Sequence, residues 1–132
     1  ILTNYAEGAY LEKLRKMQNQ SVDIALAKRQ LTEDLDRLVL SDDEKVLLAV
    51  ANAGREEDMD ILLNSKYPSV RKTVLSFGQH KAVKHSLKDT DTSIRAFARQ
   101  IQIIQFVERK AKKELLSGKP GLNGNMRGYE ND

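Results

Sequence analysis

The sequence predicts an all-α protein, and three observations carry that expectation. Apolar residues recur at i, i+3 and i+4, as in Val46, Ala49 and Val50, which is the spacing of helices with one buried face. Helix-start signals precede these runs: Ser41-Asp42-Asp43-Glu44 reads as a capping box, Pro68 suits a first helical position, and Asp89 and Asp91 bring negative charge to a helix start. No stretch alternates apolar and polar residues between turn signals, as a half-buried strand would.

The chain has 132 residues, 40% hydrophobic and 31% charged, a length that suits one domain and an apolar share large enough to bury a core. Without a single Cys it has no disulfide, no thiolate zinc site and no cysteine nucleophile. No run of about 18 apolar residues encodes a membrane span, and a cytoplasmic location is expected. The chain begins at Ile1 rather than Met, which suggests a piece of a longer polypeptide.

From the N-terminus, Tyr10, Leu14, Met17, Ser21, Ile24, Lys28, Leu31, Leu35 and Leu38 step by alternating four and three residues. Such a heptad seam would pair two copies through a long N-terminal helix, making a homo-oligomer. The same stripe would equally cap the open end of a helical array, and the interruptions at Ser21 and Lys28 favour the cap.

Laid over itself with an offset of 24, the chain repeats. Val22, Val46, Val70 and Ile94 share one column; Leu26, Val50, Val74 and Ala98 share another. Gly54 falls on Gly78, Met59 on Val83, Leu63 on Leu87 and Ser65 on Asp89. Each unit reads as two consecutive amphipathic helices, with Gly54 and Gly78 supplying the left-handed backbone that closes the first of them.

The segments Asp89-x-Asp91-x-x-Ile94-Arg95-x-x-Ala98 and Pro68-Ser69-Val70-Arg71-x-x-Val74-Leu75 resemble the heads of HEAT-like and leucine-rich repeat variant units. That resemblance implies a short right-handed α-solenoid of helix-turn-helix repeats with a long C-terminal helix. The expected organisation is an N-terminal capping helix over 1–21, four HEAT-like repeats over 22–117 and a Gly/Asn-rich tail over 118–132. It also implies that Arg71 and Arg95 hold neighbouring turns together through acidic partners such as Asp89 or Asp91. Leu63 and Leu87, like Val46, Val70 and Ile94, are expected at equivalent buried positions.

From Thr92 to Leu116 no Gly or Pro intervenes, so one helix of about 37 Å is expected. Ile94, Phe97, Ile101, Ile104, Ala111 and Leu115 would form its core stripe, leaving Ile103 and Phe106 outside it. Beyond it, Gly118, Gly121, Gly124 and Gly128 with Pro120, Asn123 and Asn125 read as a flexible tail, for which Leu122, Met126 and Tyr129 are candidate anchors.

Charge is segregated along this array. Between Glu33 and Asp60 ten acids face three basic residues, and between Lys66 and Arg127 fourteen basic residues face four acids, although the whole chain carries only +3. In a solenoid the second helices of successive units line one face, so that face would carry Glu56, Glu57, Asp58 and Asp60 in one unit and Lys81, Lys84 and Lys88 in the next. A nucleic-acid groove is expected to be basic throughout, whereas a face that changes sign suits a protein partner of complementary charge. Arg99, Arg109, Lys110, Lys112 and Lys113 on the C-terminal helix keep DNA or RNA as the alternative partner.

Catalytic signals are weak. Gly118-Lys119-Pro120-Gly121 lacks the spacing and hydroxyl of a nucleotide loop. His80 and His85 are about 140° apart on a helix, outside the i, i+4 geometry of a metal pair. Asp89-x-Asp91 lacks the following Gly and terminal Glu of a calcium loop. Paired acids such as Asp34 and Asp36, or Glu56 and Glu57, read as a solvated face. The expectation is therefore a non-enzymatic protein-binding adaptor, with no catalytic residue, cofactor or metal.

Overall fold

The computed structural model describes the backbone of residues 2–117 and the side chains of residues 8–117. Among the described residues every regular element is helical: α1 (Leu2–Arg15), α2 (Gln20–Arg29), α3 (Thr32–Leu38), α4 (Glu44–Ala53), a 3-10 turn (Glu56–Asp58), α5 (Met59–Leu63), α6 (Pro68–Leu75), α7 (His80–Ser86) and α8 (Thr92–Ser117). They fall into two compact units, Ile1–Ser86 and Leu87–Asp132. The Gly/Asn-rich tail and its anchors lie outside the described residues.

Helix starts recur at a fixed interval because their caps do. The residues preceding α2, α4, α6 and α8 are Asn19, Asp43, Tyr67 and Asp91, each 24 from the next. Asn19 Oδ1 accepts from the N–H of Ser21 (2.9 Å) and Val22 (3.3 Å). Asp43 Oδ1 accepts from Lys45 (2.9 Å) and Val46 (3.1 Å), and Asp91 Oδ1 from Ser93 (2.8 Å) and Ile94 (3.2 Å). Each bond satisfies a donor that the first helical turn leaves free. Tyr67 makes no such side-chain bond, but Pro68 at the first position removes one free N–H. Two residues before three of these caps, the Oγ of Ser41, the Oγ of Ser65 and Oδ1 of Asp89 accept from the N–H of Asp43, Tyr67 and Asp91. The capping box expected at Ser41 is thus displaced: Asp43 is the cap, and Glu44, instead of turning back, accepts from Ser69 Oγ at 2.5 Å.

Gln20 Nε2 donates to Asp43 Oδ2 (2.8 Å), and this bond, ahead of the Val46 N–H, holds the Asp43 carboxyl below its ordinary range. A carboxylate whose pKa falls on folding adds stability that is complete above the unfolded value, about 3.9, and lost as pH drops through the folded one. Asp43→Asn is therefore expected to keep the cap and flatten the acid-side decline of the thermal midpoint between about pH 5 and about pH 2. An unchanged slope would remove Asp43 from the acid transition.

Within Ile1–Ser86, α2 packs on α4 and α4 on α6, forming a row of first helices. The second helices flank it: α3 lies against α2 and α4, α5 against α4, α6 and α7, and α7 against α6. The shared core contains Leu26, Leu35, Val46, Val50, Met59, Leu63, Val70 and Val74. Val46, Val70 and Ile94 are all buried, as are Leu26, Val50, Val74 and Ala98, and Leu35, Met59 and Val83. Leu63 is buried but Leu87 only half-buried, a departure from the expected equivalence.

The long N-terminal helix is not formed. Gln18 and Gln30 take left-handed backbone (φ 49 and 60), so the chain breaks into α1, α2 and α3 and no continuous heptad seam exists. Among the described side chains of α1, Leu11, outside the heptad register, is buried, while Tyr10 is exposed. Gly54 and Gly78 are left-handed as expected (φ 71 and 73). A Cβ at Gly54 would also stand 3.3 Å from the Phe77 ring, so both conformation and space favour glycine there.

Candidate interaction surfaces

Sequence reasoning placed the acidic residues on a solvated face, but two of them are buried. Asp34 and Asp58, one 24-residue step apart, are 1% and 3% exposed, in a column whose third member is Ala82. Each is held by an arginine through two parallel bonds. Arg15 reaches Asp34 from Nε (2.7 Å) and Nη2 (3.2 Å), and Arg55 reaches Asp58 from Nε (2.8 Å) and Nη2 (2.7 Å). Arg55 Nη1 also meets Asp36 Oδ1 at 2.8 Å. These carboxylates are the first cause of the raised pKa of each guanidinium. The charge-assisted fork satisfies carboxylates that could not otherwise be removed from water. The signal available in the sequence was the shared column of Asp34, Asp58 and apolar Ala82.

Asp58 is accordingly withdrawn from the partner-binding set, leaving Glu56 and Glu57 exposed beside it. The basic row is also shorter than expected. Helix α7 ends at Ser86, so Lys81 and Lys84 stand on it while Lys88 lies in the turn that follows, exposed. Lys81 Nζ pairs with Asp60 of α5 (2.8 Å to Oδ1). The sign change between neighbouring second helices is thus partly neutralised inside the chain by Lys81 and Asp60, and Lys84 is exposed on the same helix.

Arg71 and Arg95 each bond a carbonyl of the turn that precedes their helix. Arg71 Nη1 donates to the carbonyl of Ser65 (2.7 Å) and Arg95 Nη1 to the carbonyl of Asp89 (2.6 Å), each six residues back. A backbone oxygen six residues back is thus an acceptor common to both units.

Helix α8 carries the largest departure. Ile94 and Ala98 are buried and Phe97, Ile101 and Ala111 half-buried, but two members of the expected core stripe, Ile104 and Leu115, are 51% and 79% exposed. Ile103, Phe106, Val107 and Leu116 are exposed as well. Arg99, Arg109, Lys110, Lys112 and Lys113 are all exposed on the same helix. Apolar periodicity shows that a face exists; only the neighbours in space decide whether anything covers it.

Among the described residues no three His, Asp or Glu side chains come together as a metal site, and His80 and His85 are both exposed. No described helix is long and apolar enough to cross a membrane. The fold defines an all-helical protein of paired helices with regularly spaced caps. No family model, curated protein or solved structure matches the chain.

Proposed function

We propose that this chain is a non-catalytic protein-binding module, a short α-solenoid of HEAT-like units whose C-terminal helix supplies the principal contact. One observation carries the reading. From Ile103 onward α8 exposes Ile103, Ile104, Phe106, Val107, Leu115 and Leu116 to about half or more of their surface, whereas Ile94 and Ala98 near its start are buried. Contiguous exposed apolar surface of this kind marks interaction sites. Glu56, Glu57 and Lys84 form a secondary, polar surface that would select a partner rather than hold it.

Affinity capture with the purified chain tests this reading. Val107→Lys is expected to abolish recovery of the bound protein, and charge reversal of Glu56, Glu57 and Lys84 to weaken it. Full recovery with all of these variants would overturn the assignment of the surface.

The five exposed basic residues of α8 favour a second reading, binding to DNA or RNA. Its signature is affinity for non-specific duplex that falls steeply with salt, with Lys112→Ala reducing the log-log slope by about 0.9 for each lost phosphate contact. Undetectable binding at low salt would dismiss it.

A further inference from the structure

We infer that α1 is a releasable cap, latched to the first repeat unit by one arginine that stands in for a residue the unit itself lacks. The inference concerns the opposite end of the chain from α8 and does not depend on the protein-binding reading.

The second unit shows the complete arrangement. Arg55 immediately precedes the 3-10 turn and grips Asp58, three residues on, through Nε (2.8 Å) and Nη2 (2.7 Å). One 24-residue step earlier, the same two positions are held by Leu31 and Asp34. The backbone there is the same: φ is −78 and ψ 133 at Leu31, against −73 and 131 at Arg55. The first unit thus keeps the buried carboxylate and the geometry of its partner position but has leucine where the guanidinium belongs. One step later Gln79 and Ala82 occupy these positions, so the third unit has neither charge. Asp34, 1% exposed, is left with a carboxylate that its own unit does not grip. Arg37 comes only within 3.9 Å, too far for a hydrogen bond.

Arg15 fills the gap from α1, with Nε at 2.7 Å and Nη2 at 3.2 Å from the two Asp34 oxygens. The fork is the same, but it now spans 19 residues instead of three and ties a separate helix to α3.

Little else among the described side chains holds α1. Leu11 is buried, Leu14 and Arg15 are half-buried, and Tyr10, Glu12 and Lys13 are exposed. These three contact residues lie at i, i+3 and i+4, one edge of the helix. The residues that follow, 16–19, are exposed, and Gln18 among them is left-handed. A helix of 14 residues is marginal by itself in water. Docking and helix formation in α1 are therefore coupled, and the Arg15 fork controls both. Opening of this kind lies below global unfolding in free energy.

Hydrogen exchange of the full chain, read helix by helix, tests the latch. Leu31→Arg places a local guanidinium three residues before Asp34 and should displace Arg15. The amides of α1 are then expected to exchange more than about tenfold faster, with α4 and α6 unchanged. Arg15→Ala should also strip α1 of protection and lower the urea midpoint, because a buried carboxylate loses its partner. Adding Leu31→Arg to Arg15→Ala should restore the midpoint while α1 stays unprotected. That separation of stability from docking is peculiar to a substitute arginine.

Protection of α1 that survives Leu31→Arg would overturn the inference, and this variant decides it alone if Arg15→Ala does not fold. Loss of protection in α1, α4 and α6 together would make α1 an inseparable part of the core and equally reject the latch. Failure of Leu31→Arg to restore the midpoint of Arg15→Ala would reject the equivalence of Leu31 and Arg55 on which it stands.

Discussion

Asp58→Ala is expected to lower the free energy of unfolding by about 3 kcal/mol, because removing one member of a buried ion pair strands the other. Asp58 is 3% exposed and accepts both bonds of the Arg55 fork. The value sits at the lower end for such changes since Arg55 keeps Asp36 at 2.8 Å. Urea unfolding of Asp58→Ala, Arg55→Ala and the double variant measures it, and the double variant should lose less than the two single losses combined. A loss near about 0.5 kcal/mol would place Asp58 with ordinary surface pairs and return it to the candidate partner surface.

Leu26→Ala should destabilise the protein by a similar amount, about 3 kcal/mol, through lost transfer energy and the cavity left behind. Leu26 is 1% exposed on α2, which packs on α4. Its column continues as Val50, Val74 and Ala98, all buried, so Leu26 is the largest side chain at that level. Val50→Ala removes less volume and should cost less, at about 0.8 kcal/mol per buried CH2. Equal losses at the two positions, read from urea midpoints, would contradict a leucine-filled site that fails to collapse.

Neither variant changes the second half of α8. Both should leave capture of a bound protein intact under conditions where the chain remains folded, which separates stability from recognition in the experiment on Val107.

Some of the fold was legible before any coordinates because its causes are local. The first helices begin at Gln20, Glu44, Pro68 and Thr92, and Pro68, Asp91, Gly54 and Gly78 act at the ends where the sequence placed them. A cap needs only its own side chain and the next few amides, and a buried column needs only helical spacing. Even locally the reading slipped by two residues at Ser41, where two oxygens competed for the cap and Asp43 took it. Asn19 went unread as a cap because the heptad reading carried a helix across it.

The candidate site was less legible. Acids at Asp34 and Asp58 look like their exposed neighbours Glu33 and Glu57 until packing buries them, although Arg55 stands only three residues from Asp58. For Arg15 and Asp34 the chain separation is 19 residues. Lys81 looked free until Asp60 stood beside it. Ile104 and Leu115 share the periodicity of a core stripe, yet are exposed.

The sequence by itself determined that this protein is helical, where its first helices start, and which columns of residues recur every 24 positions. Only the tertiary structure decided which carboxylates are buried, which lysine is already paired and which residues of α8 stay exposed. The physical reason is range: hydrogen bonds at helix ends and side-chain periodicity are set within a turn or two of chain, whereas burial and ion pairing depend on residues that folding brings together from elsewhere.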